Sequence, residues 1–150
     1  MPTVENTIWI NAPLEIVLSV AQDNEAFPTY MSDVLSLTVT EREGHRVVSD
    51  WVGLVSAFGL KVRWTQEDVW DTESGECRFR QVKGDYDKLE GVWRFTPENE
   101  GVRFDSLVDY DYVVPGLGPL VKGIVHGLVV KNLESTLGAI KARAEATQKV

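Results

Sequence analysis

Val102-Arg103-Phe104-Asp105-Ser106-Leu107-Val108-Asp109-Tyr110-Asp111-Tyr112 alternates between two kinds of side chain, with Leu107 the one exception. Successive residues of a strand point to opposite faces. Val102, Phe104, Ser106, Val108, Tyr110 and Tyr112 therefore share one face, and Arg103, Asp105, Asp109 and Asp111 share the other. A strand written this way has a wet side and a dry side, and the dry side must be covered by something.

The same test sorts the runs that precede it. Lys88 to Phe95 turns Leu89, Gly91, Trp93 and Phe95 inward, and Cys77 to Val82 turns Cys77, Phe79 and Gln81 inward against Arg78 and Arg80. Leu60 to Trp70 places Val62, Trp64, Gln66, Asp68 and Trp70 opposite Lys61, Arg63, Thr65 and Glu67. In Val47 to Val55 the inner set is Val47, Ser49, Trp51 and Gly53, although Val48 and Val52 blur the pattern. Leu35-Leu37-Val39 begins the series, and turn signals at Glu43-Gly44, Ser74-Gly75, Gly84-Asp85 and Asn99-Glu100-Gly101 divide it. Consecutive strands joined by such short turns predict an antiparallel meander.

On the N-terminal side, Thr3 to Asn11 reads as a strand running into Asn11-Ala12-Pro13, with a helix carried by Leu14, Val17, Leu18 and Ala21. Pro28 limits Glu25 to Met31 to a short second helix. After Pro115-Gly116, the residues Leu117, Leu120, Val121, Ile124, Leu128, Leu133, Leu137 and Ile140 keep helical spacing, which predicts a long C-terminal helix. The layout is α+β, one sheet covering one helix. Between Leu117 and Val130 that helix is apolar nearly all round, and Gly116, Gly118, Gly123 and Gly127 thin it there. Either both of its faces are buried, or the glycines permit close backbone packing, or the surplus apolar wall lines a pocket.

The 150 residues suit a single domain with a substantial core. A net charge of −8 argues against a nucleic-acid partner. The apolar residues fall in short runs, so no integral membrane segment is expected. Cys77 is the only cysteine, and MPTVENTIWINAP lacks a basic start and an apolar signal core, so a reducing cytoplasm is the expected location.

Ile8-x-Ile10-x-Ala12-Pro13 with Glu15-x-Val17, then Asp23-x-x-x-Phe27-Pro28-x-Tyr30, resembles the opening of the START-related helix-grip superfamily, which includes the polyketide cyclase/dehydrase and coenzyme-Q-binding-like proteins (SRPBCC). Trp64-x-x-Glu67-Asp68-x-Trp70, Gly84-Asp85-x-Asp87-x-x-Glu90-Gly91-x-Trp93-x-Phe95 and Tyr110-x-Tyr112 resemble its central strands. The resemblance spans almost the whole chain. It implies a curved antiparallel sheet of about seven strands gripping the C-terminal helix, with two short helices after the first strand. It also implies a cavity that takes lipids, polyprenyl chains or aromatic polyketides.

The predicted cavity wall carries Trp51, Trp64, Trp70, Trp93, Phe79, Phe104, Tyr110 and Tyr112, with Leu117, Val121, Ile124 and Leu128 from the helix. Its polar tips are Ser49, Gln66, Asp68, Gln81 and Ser106. Aromatic residues at strand spacing also serve as plain core. Gln66 and Gln81 bond each other, bond water or await a ligand, because an unpartnered buried amide costs roughly 1–3 kcal/mol. Asp68 reads as a neutralised buried acid, a partner for an inward-leaning arginine or, the reading preferred here, a charge near a wet strand end.

Catalytic pairs are scarce. His45 belongs to a turn, His126 sits on the helix surface or at the cavity rim, and Cys77 is expected as inert filling. Neither a His-x-x-x-His nor a Cys-x-x-Cys pair is present, so no metal and no zinc are expected. The carboxylates Glu67, Asp68, Asp85, Asp87 and Glu90 are scattered by strand alternation, and Gly116-Leu117-Gly118-Pro119 lacks a phosphate-loop lysine. No cofactor is expected.

The function these features favour is binding, carrying or sensing of a hydrophobic small molecule, as a monomer or a homodimer. The alternative is a cyclase/dehydratase that folds a polyketide-like substrate, with Tyr110, Tyr112, Asp68, Gln66 and the outward-facing Arg63 as its candidates. A Tyr110 or Tyr112 hydroxyl bonded to Asp68 would favour the enzyme. The coenzyme-Q-binding and ribosome-associated relatives suggest a third role, as a partner in quinone metabolism or translation.

Overall fold

The computed structural model describes residues 3–55, 60–112 and 122–148. There the alternating runs become β1 (Thr3–Ile10), β2 (Val34–Glu43), β3 (Arg46–Val55), β4 (Leu60–Asp71), β5 (Glu76–Gly84), β6 (Lys88–Glu98) and β7 (Gly101–Asp111). Between β1 and β2 lie α1 (Leu14–Gln22), a single 3-10 turn (Asn24–Ala26) and α2 (Phe27–Tyr30), and α3 (Lys122–Gln148) follows β7. The strands form one antiparallel sheet in the order β1-β7-β6-β5-β4-β3-β2. The meander runs from β2 to β7, and β1 completes it by pairing Ile8 with Phe104 and Ile10 with Val102. Register shifts between Val34 and Ser36, Val39 and Glu41, and Thr65 and Gln66 are places where added twist bends a sheet.

Local chemistry explains the helices. Pro13 is extended (ψ 151°) and precedes α1 rather than standing in its first turn, and its carbonyl accepts from the Ile16 and Val17 amides at 3.1 Å. Pro28 is tolerated because it falls in the first turn of α2. The expected helix start at Leu117 and the end of the last strand at Val114 lie outside the described residues. No helix among the described residues is long and apolar enough to cross a membrane.

Two clusters hold α3 to the sheet. Leu137, Ile140 and Ala144 pack with Ile10, Val17, Phe95 and Phe104, while Val125 and Val129 pack with Val4, Val62, Tyr110 and Tyr112. The C-terminal half is also tied by polar contacts. Lys141 Nζ donates to the Trp9 carbonyl at 2.8 Å, and Glu145 Oε2 accepts from the Asn11 amide at 2.9 Å. The close-packing explanation for the helix glycines needs correction at Gly123 and Gly127. Both are exposed, and a Cβ on either would meet nothing within 4 Å. Gly116 and Gly118 lie outside the described residues.

Candidate functional site

Between the two clusters the sheet and α3 do not close. A cavity of about 130 Å³ remains, walled on the sheet side by Trp51, Trp64, Trp70, Phe79 and Trp93 and on the helix side by Asn132, Leu133 and Thr136. Phe27 and Asn24 close it from the segment after α1. Its volume is near that of a ~150 Å³ apolar hollow able to hold benzene, and well below the roughly 300–1,000 Å³ of common ligand pockets. In its present shape it takes about one ring.

The sheet wall is ordered by register. Trp51 lies directly opposite Trp64, and their rings stack at 5.4 Å with an 18° interplanar angle. Phe27 packs edge-on against Trp51 and Tyr86 edge-on against Trp64. A Cβ at Gly53 would approach the Trp64 ring to 3.2 Å, so the bare backbone of β3 makes room for that indole.

One polar ladder climbs this wall. Trp64, Gln66 and Asp68 occupy alternate positions of β4, so their side chains rise from the same face. Trp64 Nε1 donates to Gln66 Oε1 at 3.0 Å, and Gln66 Nε2 donates to Asp68 Oδ1 at 2.8 Å. This uses both ends of the Gln66 amide and one oxygen of Asp68. The expectation of a charge at a wet strand end is corrected, because Asp68 is only 7% exposed. Burial pushes its carboxyl up to about 6, against the opposing effect of the Gln66 hydrogen bond. Asp33 also lines the cavity, and burial raises its carboxyl above the ordinary value.

Other predicted site residues stand elsewhere. Gln81 bonds neither Gln66 nor open space. Its amide grips Tyr86 by donating to the carbonyl (2.8 Å) and accepting from the backbone N–H (3.2 Å). Ser49 is buried and accepts from Trp51 Nε1 at 2.9 Å, while Ser106 is buried with its hydroxyl unpartnered. Phe104 is core, its ring 4.4 Å from that of Phe95. Tyr110, Tyr112 and Leu128 belong to the cluster at the start of α3. Ile124 is 59% exposed, because it lies on the side of α3 turned from the sheet, and is corrected from wall to surface. Leu117 and Val121 fall outside the described residues. Sequence reading missed Asn24, Phe27, Tyr86 and the helix trio Asn132, Leu133 and Thr136. The spacing of that trio marks one helix face, but it lies beyond the strongly apolar stretch that drew attention.

The acid–base pair that would mark an enzyme does not form with Asp68. Tyr110 OH instead lies 2.7 Å from His126 Nδ1, with the two rings stacked. Among the described residues, the cavity wall holds no lysine, arginine or histidine.

A family model described as polyketide cyclase / dehydrase and lipid transport matches residues 10–136. The chain belongs to this family. The Thermus thermophilus protein TTHA0849 is similar at 40% identity and a TM-score of 0.90, with 97% of this chain and 99% of that one covered. The Zhui aromatase/cyclase of Streptomyces sp. R1128 shares the fold with a TM-score of 0.85 at 19% identity, over 96% of this chain and 93% of that one. A Streptomyces halstedii protein provisionally named a polyketide cyclase is 32% identical over 99 residues, 65% of this chain and 91% of its own. This member of the polyketide cyclase / dehydrase and lipid transport family thus has the helix-grip architecture, a bent seven-stranded antiparallel sheet around a long C-terminal helix.

Proposed function

We propose that this protein binds a small hydrophobic molecule in the cavity between the sheet and α3, and carries or senses it without an obligatory reaction. The observation that carries this reading is the indole-walled hollow at mid-helix, where the adjoining stretches of α3 are packed against the sheet. A sparse set of polar groups in an apolar chamber suits orientation of a ligand. Membership of a cyclase and lipid-transport family supports the same reading. Native mass spectrometry of gently purified protein is expected to show a co-purified apolar compound. Trp64→Ala should lose that compound while circular dichroism stays unchanged, and retention at the wild-type level would remove Trp64 from the site.

One observation favours the cyclase alternative. Asp68 is a buried carboxyl that titrates near neutrality inside the cavity, a property suited to proton transfer. The Streptomyces halstedii relative bears a cyclase name. Turnover of a poly-β-ketone substrate that Asp68→Asn abolishes would establish this second reading.

A further inference from the structure

The charge of the cavity wall is one-sided. Asp68 and Asp33 line the cavity, and no lysine, arginine or histidine among the described residues does. Asp68 accepts one hydrogen bond, from Gln66, and among the described residues no donor reaches its second oxygen. Asn24 is 5% exposed, lines the same cavity, and has its Oδ1 buried with no partner. One carboxylate oxygen is therefore left without a donor in a chamber that offers a ligand mainly indole and phenyl faces. Desolvated acceptors without donors are costly, and ring faces attract cations.

We propose that the ligand is a small amine carried on one apolar ring, with its ammonium group held at the free oxygen of Asp68 and its ring against the tryptophans. This rests on the binding reading above and names the ligand class. A fatty acid or other carboxylate would meet like charge, and a neutral ring would leave Asp68 unsatisfied.

The surroundings of Asp68 fix the pH behaviour. On β4, Glu67 turns to the outer face, where Arg46 and Arg80 hold it at 2.6 and 3.0 Å and keep its carboxyl below the usual range. β3 places Val47 opposite Asp68, and β5 places Phe79 there with Cys77 alongside. Burial pushes the Cys77 thiol far up, and the Tyr86 phenol likewise, so both stay neutral. Asn24 and Asp33 come from the segments around α2, and α3 contributes the uncharged Asn132 and Thr136. Asp68 is thus the cavity group whose charge changes close to neutrality, and burial raises the Asp33 carboxyl above its ordinary value as well.

The test compares benzylamine, benzyl alcohol and benzoate, read by protein NMR shifts at the indole N–H signals. At about pH 8 benzylamine should bind about tenfold tighter than benzyl alcohol, and benzoate weakest. The advantage should shrink to within about threefold at about pH 5 in wild type, and at both pH values in Asp68→Asn. The wild-type pH series keeps the test decisive if the variant folds poorly. Equal binding of amine and alcohol, or preference for benzoate, overturns the amine assignment and leaves the hydrophobic site standing. Failure of all three ligands to shift the indole signals overturns both.

Discussion

The C-terminal end of the sheet–helix sandwich and its middle use the same architecture and reach opposite results. Around Leu137, Ile140 and Ala144, the stacked pair Phe95 and Phe104 fills the space against Ile10, Val17 and Val102, with little or no exposure. One to two turns earlier, the helix presents Asn132, Leu133 and Thr136, and the sheet answers with Trp51, Trp64, Val62 and Val108 around a hollow. What differs is the side chains that α3 supplies. Two of that trio spend their polar groups on backbone, Asn132 donating to the Leu54 carbonyl (3.2 Å) and Thr136 to the Asn132 carbonyl (3.0 Å). The Asn132 bond ties the helix to β3, the Thr136 bond stays within the helix, and neither side chain fills the interval. Packing at the C-terminal end supplies stability that unfilled volume in the middle does not.

The sharpest way to break this contrast is to hollow out the full end. Phe104→Ala removes a ring with no exposure and should cost about 3–5 kcal/mol, read as a lowered denaturant midpoint. A loss below about 1 kcal/mol would mean that the end is loosely packed and that the comparison fails.

Asp68 sharpens the contrast from the other side. Its carboxyl moves from an ordinary 3.8 to about 6 on folding, so the folded chain holds that proton more tightly than the unfolded chain does. The resulting penalty is absent below the lower value, grows between the two and is complete above the higher one, where it amounts to about 3 kcal/mol. Asp68→Asn removes the charge and should stabilise the protein by roughly 2–3 kcal/mol at about pH 8, with no gain at about pH 3.5. Thermal melts of the two proteins across that range read the effect. A variant less stable than wild type at the higher pH would mean that the carboxylate is paired rather than stranded.

Legibility followed the same divide. The alternation of β7 was open to inspection because its outer residues are charged, and Trp64, Gln66, Asp68 and Trp70 were placed on one face by the same rule. Alternation reports which face a residue shares and is silent on how deep that face is buried. The 7% exposure of Asp68 therefore needed the covering helix to be seen. The helix wall was sought at Ile124 and Leu128, where apolar residues are densest, yet the cavity faces the more polar Asn132 and Thr136. Density of apolar residues predicts contact, and a hollow forms where contact is withheld. Tyr86 was hidden for another reason. It follows a turn signal, and its inward position depends on the Gln81 amide clasping its backbone, which no periodicity encodes.

The smallest expected effect on stability comes from making the hollow middle resemble the full end. Leu133 is half-buried, lines the cavity and belongs to the fringe of the cluster around Val125 and Val129, so a longer apolar side chain there has vacant volume to enter. Leu133→Phe adds about three carbons to a space near 130 Å³. Favourable burial and imperfect fit nearly offset, so the melting point should move by less than the equivalent of about 1 kcal/mol. Capacity for a ring-sized ligand should nevertheless vanish, because the new phenyl group occupies the place of the guest. An unchanged melting point with lost uptake separates the hollow from the scaffold. Unchanged uptake would show that ligands enter elsewhere, leaving the interval beside Leu133 as mere imperfect packing.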